Sequence, residues 1–191
     1  MQISQRKPPI QPWSICLVIV FLFSAYGFAQ TAGAKASFPA PEMRWRFDRR
    51  TLTAEELKLL ETAAALDLRA VQEQCGGASL NFADLGIVGV GLGSAGRGAI
   101  LRLHGSCMCG GTGNCPLLVY RREKDAFRKV LDDLQGWAFA VVKQGPAVAD
   151  LVFVSNRGGS SCELTRYRYR HTRFEELDSE SLPCGELKQE P

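Results

Sequence analysis

The sequence predicts an α+β fold: one N-terminal amphipathic helix packed on an antiparallel β-meander, stapled by disulfides. Three observations carry this. One stretch after residue 53 has helical apolar spacing, the chain beyond residue 85 switches to a period of two with Gly-containing turns, and six of the seven cysteines lie beyond residue 74 in a chain that opens with an export-type leader.

The helix is signalled first. Thr53 followed by Glu56 is a capping box, and Leu57, Leu60, Ala64, Leu68, Val71 and Cys75 then recur every three or four residues until Gly76-Gly77 stops the pattern. Glu55, Lys58, Asp67 and Glu73 occupy the opposite side, whereas Leu59, Ala63 and Leu66 widen the apolar stripe. A wide stripe suits packing on a sheet better than a narrow coiled-coil seam.

Beyond it, Val88, Val90 and Leu92 alternate with glycines, and Ile100, Leu101 and Leu103 resume after a Gly-rich turn, which reads as a hairpin. Further strands are expected at 117–120, 127–131, 137–142, 151–155, 164–169 and 174–177, with Val130 to Leu134 open to a helical turn as the alternative. Gly136, Gly145-Pro146 and Arg157-Gly158-Gly159 punctuate them. Strands joined by short turns, with no helical pattern between, favour antiparallel pairing.

The ends bound the domain. Arg6, Lys7, the apolar run from Ile15 to Phe23 and the small residues up to Ala29 read as a signal peptide over 1–29. The run falls short of the roughly 20 residues of a spanning helix, so the chain meets a membrane only if this leader is retained. Residues 30–43 read as a flexible lead-in, 44–187 as a single domain and 188–191 as a tail. The expected location is exported, periplasmic or extracellular. Losing Arg6 and Lys7 leaves a net charge of about +1, which argues against nucleic acid as a partner.

The mature cysteines are Cys75, Cys107, Cys109, Cys115, Cys162 and Cys184, an even set expected to form three disulfides out of 15 possible pairings. Cys107 and Cys109 share a face of an extended segment and should take different partners. Gly110-Gly111-Thr112-Gly113-Asn114 can fold back sharply, making Cys109–Cys115 the best single pair. Cys75 with Cys107 and Cys162 with Cys184 complete the set.

Other constellations compete with this scaffold reading. Thiolates flanking Met108 could hold Cu(I) or zinc, but the C-x-C-x5-C spacing with only His104 and His171 lacks the paired spacing of zinc sites. No C-x-x-C supports thiol redox catalysis. Gly91-x-Gly93-x-x-Gly96 has the form of a dinucleotide fingerprint, yet the segment to Gly105 is too short for the required helix, so no cofactor is expected. Arg166, Arg168 and Arg170 alternate with Tyr167 and Tyr169, placing guanidinium groups on one strand face, where they could bind an anion. With no G-x-S-x-G elbow, catalysis would need an unusual site around His104 and His171, credible only if both lay with a carboxylate in one pocket.

Cys109-Gly110-Gly111-Thr112-Gly113-Asn114-Cys115, then Leu118-Val119-Tyr120, Asp150-Leu151-Val152 and Tyr167-Arg168-Tyr169, resembles a group of exported bacterial proteins with a Cys-Gly-x-Thr-Gly-Asn-Cys loop between strands. Some of these are similar to single FG-GAP-type β units with an Asp-rich, calcium-loop-like segment. The corresponding stretch, Leu92 to Gly98, holds no carboxylate, so calcium binding does not transfer. The resemblance implies no activity.

The expected function is therefore a non-catalytic binding or envelope-associated module, of inhibitor type if the Gly110–Asn114 loop probes a partner's groove, its partner being a cell-envelope protein or polymer. The alternatives are an enzyme with a site near His104 and His171, or a thiolate metal-binding protein.

Overall fold

The capping box forms where the sequence puts it. Thr53 Oγ1 accepts from the Glu56 amide and the Glu56 carboxylate accepts from the Thr53 amide, satisfying two of the first turn's orphan donors and starting helix α1 (Ala54–Gln74). Its buried stripe is Leu60, Ala64 and Leu68, one residue per turn. Gly76 and Gly77 then take φ of 69° and 83°, the left-handed geometry that ends a helix.

A computed structural model describes residues 43–44, 46–145 and 148–187. The expected leader, most of the lead-in and the tail lie outside the described residues. Beyond α1 come eight strands: β1 (Gly86–Gly91), β2 (Arg97–Arg102), β3 (Cys115–Arg122), β4 (Phe127–Gly136), β5 (Ala138–Lys143), β6 (Ala149–Gly158), β7 (Ser161–Arg170) and β8 (Arg173–Pro183). Every paired neighbour is antiparallel, so the α+β meander is present. It is divided into two four-stranded sheets, β1-β2-β3-β4 and β5-β6-β7-β8. The segment that could have been a helical turn, Val130 to Leu134, is strand throughout.

The division falls at a single residue. Trp137 separates β4 from β5, and its amide donates to the Val154 carbonyl at 3.0 Å, already within the second sheet. A Cβ on Gly136 would sit 2.7 Å from that same oxygen, so only glycine lets the chain pass this close to β6.

Packing explains why the second sheet is needed. Ala99-Ile100-Leu101 and Leu117 to Tyr120 are continuously buried, which a sheet tolerates only if both faces are covered. Ile87, Ala99, Leu101, Leu118 and Tyr120 pack with Leu60, Ala64 and Leu68 of α1. Val88, Val90, Ile100, Leu117 and Val119, on the other face, pack with Phe139, Leu151, Phe153 and Phe174 of the second sheet. All described residues belong to one compact unit, 39–191.

Polar ties hold the layers in register. Asp67 of α1 accepts from Tyr120 Oη of β3 at 2.5 Å and from Lys129 Nζ of β4 at 2.6 Å. Burial, then the Asp67 hydrogen bond and charge, push the Tyr120 phenol up, so it stays a donor. The outer edge of β1 is covered by the turn at Arg49–Thr51, where Thr51 Oγ1 accepts from the Gly89 amide at 2.6 Å.

Glu56 links the helix start to β2 through Arg97 at 2.5 Å. Burial works to raise its pKa, but the Arg97 hydrogen bond, the Thr53 amide and the Arg97 charge outweigh it and hold the carboxyl below its ordinary 4.5. A depressed folded pKa gives stability that is complete above pH 4.5 and is lost as pH falls through the folded value. Wild type should exceed Glu56→Gln by about 1 kcal/mol near neutrality, with the gap closing toward pH 3. Urea titrations across that range decide it; a pH-independent gap would rule out the carboxylate as the source.

Candidate functional site

Three disulfides pair as the spacing predicts: Cys75–Cys107, Cys109–Cys115 and Cys162–Cys184. The second closes a small exposed loop whose fold is fixed by its backbone. The Gly110 amide donates to the Asn114 carbonyl at 2.9 Å, and the Gly113 amide, at φ 78°, to the Gly110 carbonyl at 2.8 Å. Asn114 then ties the loop to the second sheet. Its side-chain amide donates to the Asn156 carbonyl at 2.8 Å and its Oδ1 accepts from the Asn156 amide at 2.7 Å, as a neighbouring strand residue would.

Beside Asn114 the two sheets part. Along β6 the inward positions run Leu151, Phe153 and Ser155, and their in-register neighbours on β7 are Tyr167, Thr165 and Glu163; the exposed Arg157 follows where the pairing becomes irregular. The inner face thus turns from apolar to polar toward this end. Apolar packing between the sheets stops where it does so. The result is a cleft of about 340 Å³, with Gln135 of β4 on one wall, Ser155, Glu163 and Tyr167 on the other, and Glu176 and Ser179 of β8 beyond them.

The lining carries two carboxylates, Glu163 and Glu176, against one guanidinium, Arg157. Glu163 is ion-paired to the exposed Arg157, and Glu176 lies opposite Tyr167 in the β7–β8 register. Burial first, then the charges of Glu176 and Glu163, push the Tyr167 phenol up to about 12, so at neutral pH it is a hydroxyl donor. Its ring meets Phe153 edge-on at 5.9 Å. The lining offers carboxylate acceptors with amide, hydroxyl and guanidinium donors, and contains neither histidine nor cysteine. That is equipment for holding a polar molecule.

The other candidate residues are distributed elsewhere. Arg166 and Arg168 share one face of β7 and Tyr167 and Tyr169 the other, as the alternation predicts; Tyr167 and Tyr169 pack on the inter-sheet core. Arg168 makes a two-pronged contact with the fully buried Asp150 at 2.7 and 2.8 Å, and Arg166 pairs with Asp178. An anion at this face would have to displace both carboxylates, leaving Arg170, exposed beside the hairpin turn, as the residue best placed to meet it.

His104 and His171 do not share a pocket. His104 lines a shallow depression with Asp48, Asp84 and Arg102, whereas His171 sits at φ 55° in the β7–β8 turn and is not among the lining residues. Arg102 Nε donates to His104 Nε2 at 3.3 Å, and burial, then the Arg102 charge, lower the imidazole pKa. The Gly91–Gly96 motif is the β1–β2 hairpin: residues 93–95 form one tight turn, Gly96 takes φ 83°, and strand follows instead of a helix. One trio among the described residues has ligand atoms grouped closely enough for a metal: His104, Cys109 and Cys115.

The cleft residues were missed in reading the sequence because each strand was read singly. The signal is the polar drift of Ser155 and Arg157 on β6 and of Thr165 and Glu163 on β7, visible once the two strands are placed side by side. No protein-family model matches this chain, and no curated protein or solved structure matches it.

Proposed function

We propose that this protein is an exported, non-catalytic binding module, and that its ligand is a cell-envelope glycan segment carrying a free amino group. The observation that carries this is the polar cleft between the sheets, where Glu163 and Glu176 face a single guanidinium, Arg157, and Asn114 brings in the base of the disulfide-closed loop. About 340 Å³ lies at the lower end of the range for small-ligand sites and suits one or two sugar units. Glu163 and Glu176 would accept from the ammonium and hydroxyl groups, Tyr167 and Gln135 would donate to ring and carbonyl oxygens, and the Gly110–Asn114 loop would border the chain leaving the cleft. Export is supported by the three disulfides and by the leader-like N-terminus; among the described residues no helix is long and apolar enough to cross a membrane.

The test is calorimetry and amide-shift mapping of the mature protein with glucosamine oligomers and their N-acetylated counterparts. Binding should be confined to the amine form, shift residues around Ser155 and Tyr167, and weaken at least tenfold in Glu163→Gln/Glu176→Gln, corresponding to about 1.4 kcal/mol. Equal binding of the acetylated oligomers, or no effect of the double variant, would refute the reading. Binding of lysine-containing peptides alone would move the ligand class from glycan to protein.

A further inference from the structure

We propose that His104, Cys109 and Cys115 form a site for one thiophilic d10 cation, Zn2+ or Cu+, which opens when the Cys109–Cys115 disulfide is reduced. One ligand atom from each of the three residues lies within 4.8 Å of the other two. Zinc held at about 2.3 Å from sulfur and about 2.0 Å from nitrogen spaces its ligand atoms by roughly 3.3–3.8 Å, so only small side-chain movements separate the trio from a bound geometry. Two thiolates and an imidazole make a soft, three-ligand set: sufficient for Cu+, and for Zn2+ with water as a fourth ligand.

The sequence spacing argued against metal because it lacks paired motifs; the fold supplies the third ligand by bringing the end of β2 against the base of the loop. The loop can also yield. Gly110 to Gly113 are exposed, and the bridge closes the shortest of the three disulfide loops, with a separation of 6 against 22 and 32 residues. The chain-entropy contribution of a bridge grows with loop length, so this shortest one is the disulfide whose opening the fold best survives.

Two steps make the site. A dithiol reductant transfers two electrons and two protons to the disulfide, giving two cysteine thiols and becoming a disulfide itself. The thiols then bind the cation and release two protons. Whichever ring nitrogen ligates, the other carries the imidazole proton, so His104 gives up its long contact from Arg102. Arg102 keeps other partners: Nη1 donates to the Trp137 carbonyl at 3.1 Å and the guanidinium lies 4.6 Å over the Phe47 ring.

The experiment uses the mature chain, oxidised or opened by a limited amount of phosphine, with alkylation and peptide mass identifying the open bridge. Each sample is dialysed against zinc alone, or against Cu+ buffered by a competing chelator. The form open only at Cys109–Cys115 should retain one metal per chain and the oxidised form none, and Co2+ in place of zinc should show a thiolate charge-transfer band. His104→Ala should weaken retention at least tenfold. In the fully reduced chain, Cys109→Ser/Cys115→Ser should abolish the stoichiometric metal. Retention of only one of the two cations supports the site and names its metal. Absence of metal from the opened form, equal affinity in His104→Ala, or unchanged retention in the double serine variant overturns the proposal.

Discussion

Phe139→Ala is expected to destabilise the protein by about 4 kcal/mol, a large fraction of the roughly 5–15 kcal/mol that holds a domain together. Phe139 is fully buried and lies two residues beyond the point where the chain leaves the first sheet. Its ring packs in the inter-sheet core and meets Phe47 at 5.4 Å. Its backbone accepts from the Arg44 amide at 2.6 Å and donates to the Arg44 carbonyl at 3.0 Å, fixing the segment before the first turn onto the edge of β5. Truncation removes apolar contact from both sheets at once, and a cavity bordered by two sheets cannot collapse without moving one of them. Guanidinium denaturation measures the loss. Leu66→Ala, at a helix position 71% exposed, is the control and should change stability by no more than about 0.5 kcal/mol. A Phe139→Ala cost close to that of the control would show that the sheets do not depend on each other.

Breaking Cys75–Cys107 with paired serines should cost about 3.7 kcal/mol, and breaking Cys109–Cys115 about 2.2, by the chain-entropy model applied to separations of 32 and 6 residues. The first bridge joins the C-cap of α1 to the segment following β2. Without it, the end of the helix is held by the apolar stripe and by local bonds such as Gln72 Nε2 to the Leu80 carbonyl at 3.1 Å. The predicted order is the decisive result. Thermal or urea unfolding of the two paired variants should find the short-loop variant the more stable, by about 1.5 kcal/mol. The reverse order would mean that native contacts of the Gly110–Asn114 loop, and not constraint of the unfolded chain, give the disulfide its value. It would also count against opening this loop to admit a metal.

The cysteine pairing was legible for a reason that goes beyond counting. Cys107 and Cys109 are too near in sequence to bond each other easily, which sends them to different partners although the segment expected to be extended is a turn, with the Met108 and Cys109 amides both donating to the Gly105 carbonyl; Gly-rich sequence between Cys109 and Cys115 permits the fold-back that Gly113 adopts at φ 78°. The helix was equally legible, since Thr53, Glu56 and the Leu60, Ala64, Leu68 stripe are neighbours in sequence as well as in space. The site was not. Ser155, Glu163, Tyr167 and Glu176 look like ordinary alternating strand residues, and their significance depends on which strands face one another and on where apolar packing between sheets ends.

The residues alone were enough for the elements, their antiparallel pairing and the disulfide framework, because these follow from short-range periodicity, turn chemistry and chain reach. Packing in three dimensions settled the division into two sheets at Gly136-Trp137, the cleft where they part and the meeting of His104 with Cys109 and Cys115. The division and the cleft arise from close approach between different strands, and the trio from a turn that folds the stretch from His104 to Cys115 back on itself. The approach of Gly136 to the Val154 carbonyl, for example, is a relation between two strands that leaves no mark in the local pattern of either one.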